Sequence, residues 1–225
     1  MTEVILALDV GTRDAAVSIA EKTGPYLDAI KIGYPLVLAA GLTIADELSA
    51  GGLPLIADFK VADIPNTSRL IAEEVFSHGF SGIICHGFVG RDSVLACVDT
   101  AHDHGGECYV VTEMSHPGAV DFFHGGIAER IAALVCETGA DGIIAPATRP
   151  ERTQMLRTLI GTRKILSPGV GAQGGDPSAI AGIVDGIIVG RAIYESADPA
   201  GAAQQYAQFR SLRGTNPHLH YPLRE

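Results

Sequence analysis

The sequence predicts an α/β protein folded as a single-domain (β/α)8 barrel of the TIM type, and three observations carry that prediction. Eight short apolar runs, rich in β-branched residues, recur along the 225 residues. Segments with apolar residues three and four apart, the helical spacing, alternate with them. The first run ends LDVGTRD, without the G-x-G-x-x-G that marks many open doubly wound sheets. Strands that alternate with helices form right-handed βαβ units and a parallel sheet. Eight such units in this length suit a small closed barrel.

The elements follow in order. VILALDV (4–10) is the first strand, and RDAAVSIAEKTG (13–24) is the helix after it. AIKIG (29–33) is the second, and LVLAAGLTIADELSAGG (36–52) reads as one helical stretch. LPLIADFK (53–60) precedes NTSRLIAEEVFSHG (66–79), and GIICHG (82–87) precedes RDSVLACVDTAHDHG (91–105). ECYVVTEM (107–114) and GIAERIAALVCETGA (126–140) form the fifth unit; GIIAPA (142–147) and RPERTQMLRTLIG (149–161) form the sixth. KILSPGV (164–170) is followed by GAQGGDPSAIAG, with room for about two helical turns at 3.6 residues each. GIIVG (186–190) closes the barrel, and DPAGAAQQYAQFRSLR (198–213) is the last helix. No linker interrupts residues 1–213, which read as one catalytic domain; the polar segment GTNPHLHYPLRE (214–225) reads as a loosely packed tail.

Composition narrows the function. With 47% apolar residues the chain has ample core material, and its formal charge of −10 lacks the basic face that a general nucleic-acid binder needs. A small anion held by a local cationic pocket stays compatible. The four cysteines, Cys85, Cys97, Cys108 and Cys136, form no C-x-x-C pair, and reduced thiols in a cytoplasmic setting are expected. The acidic opening MTEVILALDVGT does not read as a signal peptide, and no apolar run approaches a membrane span of roughly 20 residues.

Parallel strands stay apolar until their C-terminal ends, where barrels build their sites. Here those ends carry Asp9, Lys31, Asp58 with Lys60, His86 and Glu113, with Ser115 just beyond. Asp58 and Lys60 are two apart and so share one side of a strand. With Lys31, Asp9 and the loop residue Asp63 they give alternating charge in a confined mouth. Flanking carboxylates can keep a desolvated lysine protonated, and such a lysine is a proton donor. Two plainer readings compete: an ion-pair plug of the barrel end, and a Mg²⁺ site on the three aspartates. Against the metal, two lysines already neutralise those acids.

The other half of the mouth suits phosphate. SPGVGAQGGDP follows the seventh strand and VGRAIYES the eighth, the two loops that bind phosphate in many barrels. Gly190 lets backbone approach an oxygen, Arg191 offers a forked donor, and Gln173 can close from the seventh loop. Each glycine alone is equally explained by a turn; their placement together favours phosphate. Ser115 has no base near it in sequence, so a hydrogen bond to a ligand ring suits it better than nucleophilic attack. His86 is as well explained by packing as by a site role. His102 and His104 read as solvent residues, and His116 has no defined role.

At DFKVADIPNT, with LDV, KIG, MSHPGA, SPGVGAQGG and VGRAIY, the chain resembles the orotidine 5′-phosphate decarboxylase family, archaeal type, over almost its whole length. D-x-K-x-x-D alone is shared with Mg²⁺-dependent hexulose-phosphate synthases and ketogulonate-phosphate decarboxylases. D-I-P-x-T, M-S-H-P-G and G-A-Q-G-G narrow the match. The resemblance implies a cofactor-free reaction with no metal, in which Lys60 protonates C6 of the pyrimidine as carbon dioxide leaves. It places Asp58 by the substrate carboxylate, Lys31 between Asp58 and the ribose, and Asp9 on the ribose. Ser115 and Gln173 would bind the pyrimidine, with Pro168 beside them, and Gln173, Gly190 and Arg191 the phosphate. Asp63, Ile64 and Thr67 would enter a neighbouring subunit's site, which implies a homodimer with shared sites. Two other functions remain in view: a metal-dependent sugar-phosphate enzyme and a non-catalytic nucleotide-binding barrel.

Overall fold

The computed structural model describes residues 2–211, so the expected tail at 214–225 lies outside the described residues. Eight parallel strands close into a barrel in sequence order. They are β1 Glu3–Ala7, β2 Ala29–Gly33, β3 Leu55–Val61, β4 Gly82–His86, β5 Glu107–Val111, β6 Gly142–Ile144, β7 Lys164–Pro168 and β8 Gly186–Val189. The last pairing, Glu3 with Gly186 through Leu6 with Val189, joins β8 back to β1.

Helices cover the outside: α1 Arg13–Thr23, α2 Tyr34–Ala40, α3 Ile44–Ser49, α4 Pro65–Ser77, α5 Arg91–Asp103, α6 Val120–Phe123 and α7 Ile127–Thr138. Then come α8 Pro150–Ile160, α9 Pro177–Ile180, α10 Arg191–Tyr194 and α11 Pro199–Ala207. Their starts follow local rules. Thr12 accepts the Ala15 N–H at 3.3 Å to cap α1, and Asp198 accepts the Gly201 N–H at 3.0 Å to cap α11. Proline opens α4, α8 and α11, where its missing N–H costs nothing.

Four expectations are corrected. The stretch 36–52 is two helices, because Gly41 takes φ +78 and ends α2 at Ala40. The helix after β7 is one turn, α9, and the last helix leaves α geometry after Ala207. Most strands also stop short of their apolar runs: β6 pairs through Ile144, and Ala145 to Ala147 belong to the loop.

At the N-terminal end of the barrel, an aspartate just before an even strand accepts the second N–H of the odd strand before it. Val4 donates to Asp28 at 2.7 Å, Cys108 to Asp141 at 2.8 Å and Ile165 to Asp185 at 2.8 Å. These bonds satisfy strand N–H groups that the ladder leaves over. The opposite end is therefore the one where strand-end polar groups are free to face a ligand.

Candidate active site

A cavity of about 340 Å³ opens at the C-terminal end of the barrel. Its floor is the apolar layer of Ala7, Ile84, Val111, Ile144 and Ile188, every one on a strand or at its end. Above them stand Asp9, Lys31, Asp58 and Lys60 on one side, Ser115, Pro168 and Gln173 across the mouth, and Gly190 with Arg191 beside β1.

Asp58 is the centre of the charge. Lys31 Nζ lies 2.5 Å from its Oδ2 and Lys60 Nζ 2.6 Å from its Oδ1, while Asp9 is 4.0 Å from Lys31. Burial alone would raise the Asp58 carboxyl pKa, but the two ammonium groups outweigh it and hold the carboxyl below its ordinary value. Lys31 is 6% exposed at its side chain and Lys60 36%. Lys31 is thus largely enclosed by protein at the edge of the cavity, and Lys60 keeps a path to solvent.

Lys60 does not reach Asp58 by a plain pleat. Its φ is +44, the one positive φ on a non-glycine residue among the described residues. The pairing of β3 with β4 shifts register between Ala57 and Val61 at the same place. A left-handed lysine costs about 1–2 kcal/mol, so the surrounding strand must over-determine it. Such strain concentrates at functional positions, and here it re-aims an ammonium group into the mouth.

Glycines clear space for the site. A Cβ on Gly33 would sit 2.5 Å from Asp9 Oδ1, so KIG ends in glycine to admit that carboxylate. Gly190 is different, because an added Cβ there meets nothing closer than 3.5 Å. Packing does not demand that glycine, which favours its service to a ligand. Ser115 Oγ, in the loop after β5, donates at 2.9 Å to Gln173 Oε1 in the loop after β7, so the two residues expected over the ring already touch.

Asp63, Ile64 and Thr67 are not brought to this cavity by their own chain. Asp63 is exposed and its Oδ1 accepts the Ile64 N–H at 2.7 Å, and Ile64 is 65% exposed. His86 does not line the cavity either. Its ring packs on Phe88 with centroids 4.5 Å apart, and its pKa is pushed down to about 4 by burial and then by the Lys60 charge. His102 pairs with Asp141 at 3.1 Å. Met114, His116 and Tyr194 line the mouth without having been singled out for it in the sequence. Their signals were position after β5 and β8 and their place inside the quoted MSHPGA and VGRAIY motifs.

The model of the orotidine 5′-phosphate decarboxylase / HUMPS family matches residues 2–206. The chain belongs to this family. An orotidine 5′-phosphate decarboxylase of Methanococcoides burtonii is 56% identical over 204 residues, covering 90% of this chain and 94% of that protein. One of Thermococcus kodakarensis is 50% identical over 208 residues, covering 91% and 94%. Among solved structures, orotidine 5′-monophosphate decarboxylase of Methanocaldococcus jannaschii, complexed with the inhibitor BMP, superimposes with a TM-score of 0.89 at 45% identity. That likeness covers 93% of this chain and 98% of the other. The family model spans both halves of its name, so membership by itself leaves metal-free and metal-dependent members in view. The relatives' names and the residues at the mouth narrow the choice.

Proposed function

We propose that the chain decarboxylates orotidine 5′-phosphate to uridine 5′-phosphate, in pyrimidine biosynthesis, without metal or organic cofactor. The observation that carries the reading is the double engagement of Asp58, with Lys31 on one oxygen and Lys60 on the other. A divalent cation seated on that carboxylate would have to displace an ammonium group and stand beside the second. The names of the M. burtonii and T. kodakarensis relatives support the same substrate.

In this reading the C6–carboxylate bond breaks, carbon dioxide leaves, and the electron pair stays on C6. Lys60 then gives C6 a proton and regains one from solvent through its exposed side. Asp58 holds Lys60 in place and faces the departing carboxylate. Lys31 holds Asp58 and reaches the ribose with Asp9. Like charges about 4 Å apart repel by about 4 kcal/mol at an effective dielectric of 20. An enzyme of a very slow reaction supplies up to about 20 kcal/mol. Repulsion at Asp58 is therefore a minor contribution. Stabilisation of the developing carbanion by Lys60, and closure driven by remote binding, carry more.

Remote binding falls to the phosphate, gripped by Gln173, Gly190 and Arg191, with Ser115 and Pro168 at the pyrimidine. Arg191→Ala should raise KM and lower kcat/KM about tenfold to a hundredfold, the value of one charge-assisted hydrogen bond. On orotidine, which lacks the phosphate, the same variant should lose little. Equal losses on both substrates would assign Arg191 another role.

Asp63, Ile64 and Thr67 complete the site of a second copy of the chain, in a homodimer with shared sites. The exposure of Asp63 and Ile64 in the single chain supports this, because Ile64 gains nothing in water. Pro65 at the first position of α4 keeps Ile64 extended, so the loop is stiff. Purified protein mixed with orotidine 5′-phosphate and followed by ultraviolet absorbance tests the whole reading. Steady loss of orotidylate absorbance supports it, and tight binding of uridine 5′-phosphate without turnover would mark a binding module instead.

A further inference from the structure

Behind the pyrimidine end of the cavity lies a second charged cluster that the proposed chemistry does not use. Glu113, two residues past β5, is fully buried. Its Oε1 accepts Arg149 Nε at 2.8 Å and faces His124 Nε2 at 3.3 Å, and its Oε2 accepts Arg152 Nε at 2.9 Å. Arg152 is held in turn by Glu129 at 2.8 Å. Arg149 turns its other end to the backbone, donating through Nη2 to the Met114 carbonyl. The next residue is Ser115, whose carbonyl accepts Thr148 Oγ1 at 3.0 Å and whose hydroxyl donates to Gln173.

We propose that Glu113 is a positioning residue, which holds Ser115 over the ligand ring by fixing Arg149 against the Met114 carbonyl. The inference rests on the decarboxylase reading for the identity of the ring. A carboxylate at 0% exposure is costly unless charge and hydrogen bonds compensate it. This one accepts donors on both oxygens, which fixes the plane of the Arg149 guanidinium. A planar guanidinium can bond a carboxylate with Nε and a carbonyl with Nη2 at once; an ammonium on a flexible stem cannot hold both in one geometry. The clamp therefore acts on the loop after β5, where the strand ladder has stopped and the Thr148 hydroxyl also ties the Ser115 backbone.

The test is a double-mutant cycle with two clamp variants, Glu113→Gln and Arg149→Lys, each alone and combined with Ser115→Ala. Arg149→Lys keeps the ion pair with Glu113 and the buried charge balance, so it reports even if Glu113→Gln does not fold. Each clamp variant alone should lower kcat about tenfold, with the KM change smaller than the kcat change. In the Ser115→Ala background the same change should cost less than about twofold, because the clamp acts through Ser115. A role in stability alone would leave the losses multiplicative, and that result overturns the proposal. A substrate-free arm separates this inference from the functional reading. Amide exchange across 114–118 should quicken in either clamp variant while β5 stays protected, whatever the wild-type protein turns over. Unchanged exchange there contradicts the clamp; absence of wild-type turnover contradicts only the decarboxylase reading.

Discussion

Lys60→Ala is expected to lower kcat by about 10⁴-fold or more, while the barrel stays folded and uridine 5′-phosphate still binds. General acid catalysis contributes about 10²–10⁴ and electrostatic stabilisation of developing charge about 10²–10³; Lys60 supplies both in the proposed reaction. The fold should survive because the Lys60 side chain is 36% exposed and leaves no cavity in the apolar floor. Removing it does not relieve the left-handed backbone, since alanine carries the same Cβ and dislikes φ +44 as lysine does. Asp58 keeps Lys31 as its partner, so its charge is not stranded. The measurement is the rate of orotidylate loss, with circular dichroism and nucleotide titration as controls. Near-normal turnover in a folded variant would remove Lys60 as the proton donor.

The second large effect is a gain. Asp63→Asn and Lys60→Ala, each nearly inactive alone, should restore activity when mixed and allowed to exchange subunits. If sites are shared across a two-fold dimer, a mixed dimer has one site with both defects and one with neither. Random exchange of equal amounts then returns up to about a quarter of wild-type activity, by binomial counting over such dimers. Asp63 stands outside the cavity of its own chain, with Ile64 exposed beside it, and this geometry motivates the prediction. Exchange proved by mass, with no activity regained, would place Asp63 in its own subunit.

Much of the barrel was legible because parallel strands are buried on both faces and read as continuous apolar runs. The charged mouth was legible for the same reason: a run such as LPLIADFK turns polar where it leaves the core. Other features depend on contacts that no local pattern carries. Gly41 divides a helical stretch whose apolar spacing continues on either side of it. Gly33 looks like an ordinary strand end until Asp9 is seen 2.5 Å from its absent Cβ. Glu113 stood out in sequence as a polar strand end, but its arginine partners lie 36 and 39 residues further on. The positive φ of Lys60 was hidden too, since even spacing from Asp58 predicts a plain pleat and the strand has an irregular register there.

The claim that matters most is that ammonium groups and a carboxylate suffice, with no metal. It is tested by turnover of orotidine 5′-phosphate by protein dialysed exhaustively against a chelator, with metal content measured on the same sample. Because Asp58 is already held by Lys31 and Lys60, kcat and KM should match those of untreated protein, and added Mg²⁺ should change neither. Activity that vanishes with the metal and returns with Mg²⁺ would contradict cofactor-free catalysis and favour a metal-dependent member of the same family.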